Sequence, residues 1–173
     1  MALLAEDGVA ALTVTQLCAA LGVTKGSFYH HFRGIEDYRS QLLEFWAGQQ
    51  EAVVGAALRE ERDPREWIEL LRRFGVELPH EAEVAIRAWS LTDLAAGEVR
   101  ERVDAGREAL VARAYREVGA PPDVADQLGR VLTAVLIGAQ HRGGTTDREA
   151  LSGMFRFVAD VADRLYLSPD APR

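Results

Sequence analysis

The chain has 173 residues, 48% of them hydrophobic and 27% charged, with a formal net charge of −7. This length allows one good core, or a small module and a larger one, and the composition excludes a disordered, fibrous or membrane-spanning chain. The acidic balance argues against non-specific coating of nucleic acid, yet leaves room for a small DNA-reading surface, because screening over about 8–10 Å makes local charge outweigh the total.

The opening "MALLAEDG" has no basic stretch and is not a secretory signal. Residues 14–21, "VTQLCAAL", place Val14, Leu17, Cys18 and Leu21 on one helical face. Thr13 is the expected N-cap, Gln16 completes a capping box, and Leu12 with Leu17 forms a hydrophobic staple. Gly22 is the expected C′ residue. A second short helix follows, with Thr24 as cap, Val23 and Phe28 as staple, Phe28 and Phe32 on its buried face and Gly34 as its end. The single Cys18 cannot form an internal disulfide, fits a cytoplasmic chain, and reads as a small buried apolar residue rather than a redox sensor.

A longer helix is expected from about Ile35 to Leu58, with Tyr38, Leu42, Phe45, Trp46 and Val53 on its apolar side. Asp63-Pro64 starts another that runs to about Gly75. Pro79 starts the next, through Trp89 to about Leu94. Helices over about Glu98–Val118, Asp123–His141 and Asp147–Leu167 complete the chain, separated by Gly119–Pro122 and Arg142–Gly144, and the tail "SPDAPR" is expected to fray. No strand alternation is visible, so the fold class is all-α: a helix-turn-helix module followed by a larger helical body.

The second short helix is unusually crowded. "GVTKGSFYHHF" contains the only lysine in the sequence, Lys25. With Phe28 and Phe32 turned inward, Lys25, Gly26, Ser27, Tyr29, His30 and His31 are left on the surface. Gly26 lets the backbone approach another surface closely. The N-terminal turn offers free N–H groups and a positive dipole end, which suits a phosphate, and Lys25 is a cation placed against the dipole rule. In helix-turn-helix proteins the second helix enters the major groove with such residues near base edges or phosphates. The adjacent His30 and His31 point about 100° apart and lack a spaced Cys or carboxylate partner, so no metal or other cofactor is expected.

The string "ALTVTQLCAALGVTKGSFYHHFRGIEDY" resembles the N-terminal domain of the tetracycline-repressor-like (TetR) transcriptional regulators. The resemblance covers about residues 2–46, and the helix count and closing pair of long helices match that family more loosely. It implies a DNA-binding domain over 1–46, whose first helix is expected to be truncated at "MALLAEDG", and a ligand-binding and dimerisation domain over 47–173. It further implies a homodimer on double-stranded operator DNA, released by a small-molecule effector. By the same resemblance Thr24, Lys25, Gly26, Ser27, Tyr29, His30 and His31 would face DNA, and Thr13 and Thr15 would add phosphate contacts. Where the family often has lysine before the acidic pair, this chain has Ile35. Between Thr13 and Arg39 only Lys25, Arg33 and Arg39 stand against Glu36 and Asp37, so affinity from phosphate neutralisation is expected to be modest.

In the body, Val124, Leu128, Val131, Leu132, Val135 and Leu136 form one apolar stripe, with Ala134 and Gly138 small enough for close approach. Leu151, Met154, Phe155, Val158, Val161, Ala162 and Leu165 form another. Two such hairpins from two chains can make a four-helix bundle; the alternative is that they only cover the body's own core. The family's pocket lies among the middle helices. Trp67, Leu71, Phe74, Ile86, Trp89 and Tyr115 are candidate walls, with His80, Arg87, Gln140 and His141 as polar handles, and a hydrophobic or aromatic effector is expected. An effector shifting the far end of the helix that begins at Ile35 would rotate the DNA module. No nucleophile–base–acid set or phosphate loop is present, and "HEAEV" lacks the second histidine of a zinc motif, so no enzyme is expected. The remaining alternative is an interaction protein that has lost specific DNA binding.

Overall fold

The computed structural model describes residues 1–59 and 63–167. The side chains at 51 and 53–59, Val53 among them, and the tail 168–173 lie outside the described residues. Nine α-helices and no strands occur among the described residues: α1 (Ala2–Asp7), α2 (Val14–Leu21), α3 (Lys25–His31), α4 (Ile35–Arg59), α5 (Pro64–Glu77), α6 (His80–Trp89), α7 (Leu94–Glu117), α8 (Pro122–Gln140) and α9 (Arg148–Ala162). A 3-10 turn, Val9–Ala11, follows α1, and a π-helical turn, Asp163–Leu167, ends α9. No described helix is long and apolar enough to cross a membrane.

Side-chain caps set most helix starts. Thr13, Thr24 and Asp147 accept from the backbone N–H of Gln16, Ser27 and Ala150 respectively. Asp63 accepts from Arg65 N–H and precedes Pro64 at the first helical position of α5. One expected boundary moves. The helix beginning near Pro79 stops at Trp89, not Leu94, because Asp93 accepts from Ala96 N–H at 2.9 Å and starts α7 four residues before the expected Glu98.

The chain divides into two compact units: residues 1–52 with 81–103, and residues 53–80 with 104–173. Packing thus groups α6 and the first part of α7 with the helix-turn-helix, a grouping by contact that differs from the expected division at residue 46. The core of the first unit joins Leu4, Leu12, Leu17, Cys18 and Phe28 to Leu42, Leu43 and Trp46 of α4 and to Ile86, Trp89 and Val99. In α4 the inward stripe is Leu42-Leu43 and Trp46-Ala47, so Phe45, about 100° away from its neighbour, is exposed rather than apolar-side. Leu21, expected inward, is likewise exposed at the end of α2.

In the second unit α5 and α8 both pack on α9. One core surrounds Tyr115 with Ala112, Ala120, Ala125 and Ala162; the other holds Leu136, Leu151 and Phe155. A Cβ at Gly129 of α8 would overlap the backbone carbonyl of Glu108 in α7, so the absence of a side chain here lets those two helices approach closely.

Candidate nucleic-acid interface

The turn between α2 and α3 is built by the backbone. Gly22 adopts φ 65°, ψ 29°, a left-handed conformation, and Val23 N–H returns to Cys18 O at 3.0 Å, closing α2. Thr24 then caps α3 through a 3.1 Å bond from Ser27 N–H. The capping box at Thr13 is half formed. Thr13 Oγ1 accepts from Gln16 N–H at 3.2 Å, but the Thr13 N–H donates to Ala11 O in the 3-10 turn, so the Gln16 side chain accepts from the threonine hydroxyl instead.

Only Phe28 of α3 is buried. Its ring lies 5.2 Å from Phe32 and 6.1 Å from Tyr38, and Phe32 meets Tyr38 edge-on at 5.1 Å. This aromatic trio seats α3 on the first turn of α4. Phe32 itself, in extended conformation, is the C-cap of α3, and Gly34 lies beyond the helix, accepting from Tyr38 N–H at the start of α4. Thr13, Thr15, Thr24, Lys25, Gly26, Ser27, Tyr29, His30 and His31 are all exposed.

The charges around them are sparse. Lys25 makes no ion pair among the described residues, at the end of α3 where the backbone N–H groups are free. Arg39 is turned to internal work: Nη1 donates to Glu36 at 2.7 Å, and Nη2 donates to Leu12 O at 3.1 Å, tying α4 to the segment before α2. Asp37 accepts from Arg33 N–H at 2.9 Å and from the Gln41 amide at 3.2 Å; these bonds, the backbone one first, hold its carboxyl below the usual carboxylate range. Sequence reasoning counted Arg39 among the free cations and missed the anchoring role of Asp37, although an acidic residue in the first turn of a helix is the signal for it.

The candidate effector residues fall in both units. Ile86, Arg87 and Trp89 belong to the first, where Ile86 and Trp89 are core. Trp67, Leu71, Phe74, His80, Tyr115, Gln140 and His141 belong to the second. There His80 is buried between two partners: its Nε2 donates to Val76 O at 3.0 Å, and its Nδ1 accepts from the Gln140 amide at 3.1 Å. In the second unit the buried Trp67 Nε1, Tyr115 hydroxyl and Gln140 Oε1 have no hydrogen-bond partner among the described residues. His141 is apart from these, exposed at the end of α8 and bonded to Ile137 O. Sequence reasoning also missed a fully buried carboxylate, Glu83, which accepts from Trp46 Nε1–H at 2.8 Å. Its position beside Ala82 and one turn before Ile86 was the available signal.

Residues 1–37 match the family model described as bacterial regulatory proteins, tetR family. No curated protein matches the chain. Solved structures do. A TetR-family transcriptional regulator from Rhodococcus sp. superposes with TM-score 0.72 at 17% identity, covering 91% of this chain and 91% of that one. A transcriptional regulator from Saccharomonospora viridis, solved in complex with choline, gives 0.70 at 16% identity, covering 96% and 92%. One from Pseudomonas aeruginosa PAO1 gives 0.68 at 17%, covering 94% and 85%. The N-terminal residues thus carry the sequence pattern of the tetR family of bacterial regulatory proteins, and the fold of these solved regulators is shared along nearly the whole length of the chain.

Proposed function

We propose that the chain is a cytoplasmic repressor that binds a pseudo-palindromic operator as a homodimer and leaves it when a small hydrophobic molecule binds the body. The observation that carries the DNA-reading part is the first turn of α3: a capped helix start with exposed Lys25, Gly26 and Ser27, seated by aromatics on its inner side. Residues 1–46 take the DNA role in this reading, and residues 47–173 take the effector and dimer roles.

Dimerisation is supported by what α8 and α9 leave outward. Val131, Ala134 and Gly138 are exposed on α8, Gly153, Phe157 and Val161 on α9, and Leu165 in the π-helical turn that follows. These are apolar or very small positions at helical spacing, suited to a second copy of the same pair. The effector role is supported by the partnerless buried atoms of Trp67, Tyr115 and Gln140, since buried polar groups in native proteins are nearly always satisfied. The helix α4 belongs to the first unit up to Ala52 and to the second beyond it, a covalent route from effector to DNA module.

A second reading, an interaction protein without specific DNA binding, is favoured by the engaged Arg39 and by Ile35. Selection of bound duplexes from a random pool separates the two. Enrichment of a pseudo-palindrome supports the repressor; no enriched sequence rejects it. On the selected duplex, Lys25→Ala is expected to cost about 1–3 kcal/mol if the lysine reads a guanine edge. If it meets only phosphate, the loss is uniform across sequences and the salt slope falls by about one. Choline and a panel of aromatic compounds are then titrated against the complex. The effector is expected to weaken binding, a hundredfold change corresponding to about 2.7 kcal/mol of coupling, and tighter or unchanged binding with every compound rejects induction.

A further inference from the structure

We infer that Glu83 of α6 is a positioning residue for the DNA-reading helices, acting through Trp46 of α4. The inference rests on the DNA-binding reading and adds to it a residue far downstream of the helix-turn-helix. Glu83 is 2% exposed and Trp46 is 3% exposed, and the indole N–H donates to Glu83 Oε1 at 2.8 Å. A carboxylate buried this deeply is costly unless hydrogen bonded, and the other buried residues that α6 gives to the first unit, Ala82, Ile86 and Trp89, are apolar. A leucine at 83 would fill the space with apolar surface. What it would not do is fix the indole. Apolar packing tolerates a ring that slides or tilts, whereas a buried directional bond selects one orientation, the best-attested use of a buried polar pair.

The orientation matters because of what lies along α4. Two residues before Trp46, Glu44 receives Arg102 Nη2 from α7 at 3.0 and 2.8 Å on its two carboxylate oxygens. Helix α4 is thus held at 44 by α7 and at 46 by α6. About two turns nearer its start, Tyr38 packs on Phe28 and Phe32, the rings that seat α3, and Arg39 reaches Leu12 O. All of these residues lie in one compact unit. A rotation of α4 about its axis at Trp46 therefore carries Tyr38 with it and re-aims Lys25 to His31.

The test uses the full chain and the duplex that the wild-type protein enriches, with a scrambled duplex as control. Glu83→Gln keeps an acceptor for the indole and is expected to bind the enriched duplex within about threefold of wild type. Glu83→Leu is expected to lose about tenfold or more in affinity for the enriched duplex, with the scrambled duplex unaffected. Trp46→Phe keeps an aromatic ring, though a smaller one, and removes the donor, and carries the test if Glu83→Leu does not fold; the same selective loss is expected. A folded Glu83→Leu or Trp46→Phe variant that binds like wild type overturns the inference, as does Glu83→Gln failing alongside Glu83→Leu. In either case wild-type enrichment of a sequence leaves the DNA-binding reading standing. If wild type enriches nothing, it is that reading that fails.

Discussion

Gly26 lies in the first turn of α3, and a Cβ there would meet only the Thr24 hydroxyl oxygen, at an ordinary 3.6 Å. The chain's own packing therefore does not require glycine, and its helical backbone does not either. Alanine is favoured in a helix by up to about 1 kcal/mol, so in the proposed reading the glycine gives up stability for close approach to DNA. Gly26→Ala is expected to raise the unfolding free energy by about 0.5–1 kcal/mol in urea and to weaken binding to the enriched duplex. Undiminished binding would remove Gly26 from the interface. Tyr115 illustrates the opposite balance, a polar group kept where it gains nothing visible. Burial pushes its phenol up to about 12, with the Asp163 carboxylate adding to the shift and Arg72 opposing it. The unfolded chain ionises tyrosine near 10. Stability linked to this group is therefore present below that value and is lost as pH rises from there through the folded value. Urea unfolding of Tyr115→Phe is expected to lack this alkaline loss, and at neutral pH the variant should be as stable as wild type or about 1 kcal/mol more stable, because a buried hydroxyl without a partner disappears. A neutral-pH loss of more than that would show that the hydroxyl supports the fold.

At the scale of elements, what could be foreseen from the sequence was what is encoded locally. The starts of α2, α3, α5 and α9 follow from Thr13, Thr24, Asp63-Pro64 and Asp147, because a cap is a relation between residues two or three apart. The break between α6 and α7 was hidden because Leu91 and Leu94 continue an apolar pattern while standing exposed. The inward face of α4 was misjudged at Phe45 because helical periodicity gives a face only to within a residue, and the partner helices decide which. The exposed string of the candidate interface was legible as it stood. Glu83 was not, because its worth depends on Trp46, 37 positions earlier in the chain. Gly129 is another such long-range requirement. Gly129→Ala must push α8 away from the Glu108 backbone and is expected to lose about 1–3 kcal/mol, more than the gain in helix propensity returns. Gly106→Ala in α7, where a Cβ meets nothing within 4 Å, is the control and should gain stability. Equal effects from the two would mean that the α7–α8 approach is not tight.

For the whole molecule, the proposed two-fold assembly would turn one short helix into a reader of a palindrome, each copy contacting one half-site. The outward residues of α9 make that assembly testable without touching the fold. Phe157 is 69% exposed, four residues before Val161 and eight before Leu165, whereas Leu151, Phe155 and Ala162 on the same helix are already buried in the subunit. The stripe read from the sequence thus splits into residues that close the subunit and residues left exposed, and Phe157, absent from that stripe, is exposed beside the latter. Burying a phenylalanine contributes about 2 kcal/mol, so removing two copies from a symmetric interface costs about 4 kcal/mol, close to a thousandfold in the dimer dissociation constant. Phe157→Asp adds a charge that the interface would have to desolvate. By sedimentation, wild type is expected as a dimer and Phe157→Asp as a monomer of unchanged helicity, since the side chain contributes little to its own subunit's core. Affinity for the enriched palindrome should fall steeply, while a single half-site should bind both proteins alike. A variant that remains dimeric at low concentration would place the two-fold contact elsewhere than the outer face of α9.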